Sequence, residues 1–170
     1  MAPTEVAHDA LADTCHTFAN ACNTILAVAI QENVSNNVKL HRLVYMPIRA
    51  DFKLSANLVV RAIRRVSAAI HAAKRRKRQP KWFRPTSVDY DTRIFDYRER
   101  DETVSLTTTK RRLPIPLRLG AYQRKALRGK KPTAATVVRL RTRFERLTHI
   151  RQRAKTWNRH LNRLVAGWSF

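Results

Sequence analysis

"TSVDYDTRIFDYRERDETVSLTTTKRRLPIPLRL", Thr86–Leu119, decides the fold. Upstream of it apolar residues recur every three or four positions, the period of an α-helix; within it they alternate, the period of a β-strand. "TSVDYDTRIFDY" sets Asp89 and Asp91, both turn-forming residues, between short apolar segments. "TVSLTTT" is rich in β-branched residues and alternates strictly, as a half-buried strand does. "RRLPIPLRL" carries Pro114 and Pro116 one residue apart. Proline cannot donate to a β-ladder, so this stretch can only be an edge or irregular strand.

Working backwards, Leu11, Cys15, Phe18, Cys22, Ile25, Leu26 and Ala29 stripe one long helix over Glu5–Gln31, ended by "SNN" at Ser35–Asn37. "VKLHRLVYM" predicts a short second helix stopped at Pro47, with "IRADF" adding at most a turn. Ser55 then caps a third helix, whose stripe runs from Val59 through Ile63, Val66 and Ile70 until "KRRKRQP" breaks it. Working forwards, "GAYQRKALRG" is a short helix between two glycines, and "TAATVVRLRT" is one more strand. From Phe144 onward the chain reads as helical, with Ile150, Trp157, Leu161, Leu164, Val165 and Trp168 on its buried side. Helices, then strands, then helix make the fold class α+β. "AKRRKRQPKW" is the segment that resembles a linker.

Charge narrows the function. The net charge is +23, and residues 103–170 hold 18 basic side chains against a single acid, Glu145. Such one-sided charge repels itself unless a polyanion neutralises it, which makes nucleic acid the expected partner. An anionic membrane surface is the competitor, but no lipidation motif is present and no apolar run approaches the ~20 residues of a membrane span. "MAPTEVAHDAL" has no basic region leading into an apolar stretch, so secretion is not expected and a cytoplasmic location is. Cys15 and Cys22 would lie about 10 Å apart on one helix, too far for a disulfide, and read as core thiols.

No Ser, Cys or His stands in a nucleophile setting, so a hydrolase triad finds no support. Asp89, Asp91, Asp96, Glu99, Asp101 and Glu102 could serve a hard cation. Turn chemistry and surface pairing with Arg93, Arg98 and Arg100 account for them better. The stronger signal is basic residues interleaved with aromatics: "KRRKRQPKWFR", "KRRLP", "YQRKALRGKK" and "RQRAKTWNR". In such clusters Trp and Phe stack on unpaired bases while Arg and Lys hold phosphates.

The segments "LHRLVYMPIRADFKLSANLVVRAIRRV", "QPKWFRPTSVDYDTRIFDY" and "DETVSLTTTKRRLPIPLRLGAYQRKAL" resemble, in order and spacing, the targeting half of TnpB proteins. These are transposon-encoded RNA-guided DNA endonucleases related to type V CRISPR effectors. The resemblance runs from about Ala10 to Leu140. It implies a helical recognition lobe over 1–79, a partial oligonucleotide-binding β-barrel (the wedge) over 80–141, and a RuvC remnant helix over 142–170. The family's first barrel strand has no counterpart ahead of the helices.

The same resemblance implies roles for individual residues. Guide-RNA contacts would fall on Lys74, Arg75, Arg76, Lys77, Arg78, Lys81, Trp82, Arg84, Lys110, Arg111, Arg112, Arg124, Lys125 and Lys130. Contacts to double-stranded target DNA would fall on Tyr45, Ser55, Asn57 and Arg61. "RFERLTHIRQRAK" is similar to the family's second RuvC motif, with Glu145 at the catalytic glutamate and Arg146 where asparagine is usual. In the intact family two further aspartates join that glutamate around two Mg²⁺ ions. The segments that would supply them, and the Cys-rich zinc insert, have no counterpart here. Glu145 is therefore expected to be an inactive remnant, and the chain to bind nucleic acid without metal, zinc or cleavage. The rival expectations are a nuclease completed in trans by another subunit and a non-functional transposase fragment.

Overall fold

The structure, a computed structural model, describes residues 5–140 and 143–147. Helix α1 spans Glu5–Gln31, α2 Asn37–Phe52 and α3 Ala56–Arg75. The expected stripe of α1 is buried throughout, from Leu11 to Ala29, with Phe18 and Ile25 fully enclosed. It packs on α3, which buries Leu58, Val59, Ala62, Ile63, Val66 and Ile70 between α1, α2 and β1. Emptying the Phe18 site by substitution with alanine would cost about 3–5 kcal/mol, the range for large core aromatics. Among the described residues no helix is long and apolar enough to cross a membrane.

Helix α2 corrects the expectation at Pro47, because the helix runs through it to Phe52. Pro47 sits on the solvent side, where the carbonyl left without a donor can be hydrated. Leu40, Val44 and Ile48, at i, i+4 and i+8, hold the opposite face in the core on both sides of the proline. The helix starts at Asn36, whose Oδ1 accepts from the backbone N–H groups of Val38 at 2.9 Å and Lys39 at 3.1 Å. Asn36 thus begins α2, while α1 has already ended at Gln31. Ser55 occupies the capping position before α3, with φ −61° and ψ 149°, but its hydroxyl makes no capping bond.

Strands β1 (Ser87–Asp91), β2 (Phe95–Arg98), β3 (Thr103–Thr107) and β4 (Arg112–Pro116) follow. Helix α4 (Ala121–Leu127) then leads to β5 (Ala134–Leu140) and β6 (Arg143–Leu147). They form two antiparallel three-stranded sheets, β1-β5-β6 and β2-β3-β4, and no closed barrel among the described residues. The proline-bearing strand is indeed an edge. Leu117 N–H donates to Glu102 O and Thr108 N–H to Arg111 O, which fixes the alternation along the β3–β4 pair. Pro114 and Pro116 consequently fall at positions whose N–H would point away from β3. They cost the sheet nothing and leave the outer edge with few donors for a foreign strand.

β6 is a second correction. Residues 143–147 were expected to begin a helix, but they pair with β5 in the register Val138↔Glu145 and Leu140↔Arg143. The β-branched run Thr136–Val138 makes β5 a strand whose far edge needs a partner for its backbone groups, and that need overrides the helical spacing of Phe144 and Leu147. The expected boundary at 141/142 has the paired strands β5 and β6 on either side of it. The rest of the expected C-terminal helix, residues 148–170, lies outside the described residues.

Helices and strands share one core. Val88 and Tyr90 of β1 belong to the same buried cluster as Phe18, Cys22 and Ile63, so the cluster continues past residue 79. The seam is tied by charge as well. Arg65 Nε lies 2.7 Å from Asp89 Oδ2, and Arg61 Nε 3.1 Å from Asp91 Oδ2. Arg65 also donates to Ser87 O and stacks over the Phe18 ring at 4.9 Å. Asp89 is thus a strand residue paired across elements, where a turn residue paired locally was expected. Its carboxylate faces penalising burial, but the hydrogen bond and charge of Arg65, with Thr136 and Arg61, outweigh that and hold its pKa below the usual range.

Candidate nucleic-acid interface

The basic run Lys74–Arg78 forms where α3 stops. Lys74 and Arg75 occupy its last turn, where cations favour the negative end of the helix dipole. Lys77 turns into the left-handed region at φ 50°. Its N–H donates to Lys74 O and that of Arg78 to Ala73 O, the paired bonds that close a helix C-terminus. Glycine is the usual residue at that turn, so a lysine there gives up backbone comfort and keeps a charge. All five cations of the run are exposed.

The chain then runs alongside α1 and is clamped by one amide. Asn23 Nδ2 donates to Phe83 O at 3.0 Å, and Phe83 N–H donates to Asn23 Oδ1 at 2.7 Å. A single side chain so plays the part of a neighbouring strand. Phe83 turns inward and packs on the core. Its neighbours point outward: Trp82 is 66% exposed, and Lys81 and Arg84 are exposed. The two aromatics therefore divide, with Phe83 structural and only Trp82 free to meet a base.

Lys110–Arg112 sit at the β3–β4 turn, also fixed to α1. Thr109 N–H donates to Thr14 Oγ1 at 3.1 Å, and Thr109 Oγ1 donates to Asp13 Oδ2 at 2.6 Å. Arg139 approaches the same helix at His16, 3.5 Å away. Beyond Asn23, Ile30 lines a groove with Lys74 and Arg78. His16, Asn23 and Ile30 are seven residues apart, which puts them on one helical stripe roughly 10 Å from step to step. α1 thus lines up Arg139, then Trp82 and Arg84, then Lys74 and Arg78. The sequence of α1 has no acid after Asp13, so nothing on that length of helix opposes an anion.

Arg124, Lys125 and Lys130 lie apart, on and just after α4. Arg124 forms a forked pair with Glu102, Nε to Oε1 and Nη2 to Oε2 at 3.2 Å. That hydrogen bond lowers the Glu102 pKa and raises that of Arg124. Among the described residues Arg124 is the only expected RNA-contact cation engaged in an ion pair. Lys125 and Lys130 are exposed beside it.

The four expected DNA contacts do not form one patch with these. Arg61 is committed to Asp91 and also donates to Tyr90 O. Tyr45, half-buried, stacks on His41 at 4.6 Å between centroids and accepts from Arg49. Ser55 Oγ is buried without a hydrogen-bond partner among the described residues, and Asn57 is half-buried. Ser55 stands about 28 Å along α3 from Lys74.

Glu145 lies on β6, paired through its backbone with Val138. Among the described residues no three acids, histidines or cysteines gather closely enough for a metal. Sequence reading missed Asn23 entirely. An uncharged polar residue near the boundary of a buried stripe was its only signal. Comparison with protein-family models, curated proteins and solved structures finds no match to this chain.

Proposed function

We propose that this protein binds nucleic acid through the Lys74–Arg84 segment, which leaves the end of α3 and is clamped on α1, and lacks a nuclease centre of its own. One observation carries the reading: Trp82 stands 66% exposed amid exposed cations on a backbone held in place by Asn23. A large aromatic left exposed contributes nothing to the core, but it can stack on a base while the cations around it hold phosphates. The chain's net +23 supplies the long-range attraction.

By resemblance to TnpB proteins, the partners proposed are a structured guide RNA and a double-stranded DNA target met in the cytoplasm. The helices would act as a recognition lobe and the strands as part of a wedge. Glu145 would be a remnant, because two-metal cleavage needs several carboxylates around ions ~4 Å apart. The test is binding of a structured RNA by the purified chain, run beside a DNA-cleavage assay with Mg²⁺ for wild type and Glu145→Gln. Tight low-salt binding with no cutting by either protein is expected. Mg²⁺-dependent cutting that Glu145→Gln abolishes would overturn the proposal and show that another subunit completes the metal site.

A further inference from the structure

Resting on that reading, we infer that the Lys81–Arg84 segment is a docking site for a short unpaired stretch of nucleic acid, with Trp82 as a stacking platform for one base. The geometry is that of an edge rather than a cradle. Along this segment Lys81, Trp82 and Arg84 are exposed while Phe83 between them packs on the core. An indole presented this way offers its face to a base only if that base has left its own stack; in an intact duplex both faces of every internal base are already covered. The flanking cations hold the phosphates on either side of that base.

Neighbouring features fix the footprint. One heptad further along α1 and roughly 10 Å from Asn23, Ile30 lines a groove with Lys74 and Arg78, a spacing that a few nucleotides of unpaired strand can span. Ile30 is itself 55% exposed and gives that groove an apolar wall suited to a sugar or base edge. Between the clamp and the groove α1 offers Thr24 and Ala27, exposed and uncharged, and the exposed acid Glu32 stands only past Ile30. The site therefore takes a short unpaired segment, such as a loop or bulge of a folded RNA.

The experiment is a titration with an unstructured ten-nucleotide RNA, a blunt duplex of equal length, and a hairpin carrying a four-nucleotide loop. Wild type is read beside Trp82→Ala and Trp82→Phe, by anisotropy of the labelled RNA and by intrinsic fluorescence. The single strand and the loop are expected to bind more tightly than the duplex and to quench the part of the fluorescence that Trp82→Phe removes. Trp82→Ala should weaken the single strand by roughly 5- to 100-fold, with Trp82→Phe recovering much of the loss and the duplex barely affected. Equal loss on duplex and single strand, or no quenching of Trp82, overturns the stacking site while leaving the polyanion reading intact. Failure of every nucleic acid to bind overturns both.

Discussion

Removing the amide of Asn23 should both destabilise the protein and loosen its nucleic-acid edge. In Asn23→Ala the Phe83 N–H and C=O lose their partners at 2.7 and 3.0 Å. A typical intramolecular hydrogen bond contributes about 1 kcal/mol net, so two give about 2 kcal/mol. The site is part-buried, which lets water reach the freed groups and keeps the loss from the full desolvation penalty. At roughly 2–4 °C per kcal/mol for a chain of this size, Tm should fall by about 4–8 °C. Thermal unfolding followed by circular dichroism measures this, and RNA affinity is read on the folded variant at 15 °C. Weaker RNA binding with a normal far-ultraviolet spectrum is expected, because Trp82 and Arg84 are no longer held outward. A Tm within 1 °C of wild type would mean that the clamp does not hold Phe83, and the placement of Trp82 would lose its basis.

Asp89, whose carboxyl is held below its ordinary range, contributes stability at pH values above that range, and the contribution is lost as pH falls through its lowered folded value. Asp89→Asn should therefore cost about 1–3 kcal/mol at pH 7, the partly exposed pair being worth less than a fully buried one, and flatten the urea-midpoint profile below about pH 4. Burial pushes the Cys15 thiol up to about 11 and the Cys22 thiol up to about 12, against the opposing charge of nearby arginines. Both should resist a thiol reagent at pH 8 in the native protein and react at once in denaturant. Lys77→Gly should raise stability by about 0.5–1 kcal/mol by relieving the left-handed turn, yet make the salt dependence of RNA binding shallower by the loss of one charge.

What the sequence made legible, and what it hid, has physical causes. The α1 and α3 stripes, the edge strand with alternating prolines and the α4 helix were readable because each is dictated by local periodicity or by a missing donor. Pro47 misled because its effect depends on which face the ring occupies, and only the packing of Leu40, Val44 and Ile48 settles that. β6 misled because pairing with β5 is a long-range need that spacing within Arg143–Leu147 does not record. For the interface, composition located the cations and the exposed aromatic. Which of Trp82 and Phe83 faces out was decided by Asn23, 60 residues away in sequence. Arg61 read as a free cation because Asp91 lies 30 residues off and read as a turn residue.

The most direct measurement of the central claim is the slope of log K against log[salt] for a structured RNA. It is taken for wild type and for a variant with Lys74, Arg76, Lys77 and Arg78 all changed to Gln. Each phosphate contact contributes a slope of about −0.7 to −0.9. Wild type should show a steep negative slope, and the variant should be shallower by about 3 if all four cations meet phosphate. A variant slope equal to that of wild type would place the nucleic acid elsewhere, and a wild-type slope near zero would contradict binding through this charged edge altogether.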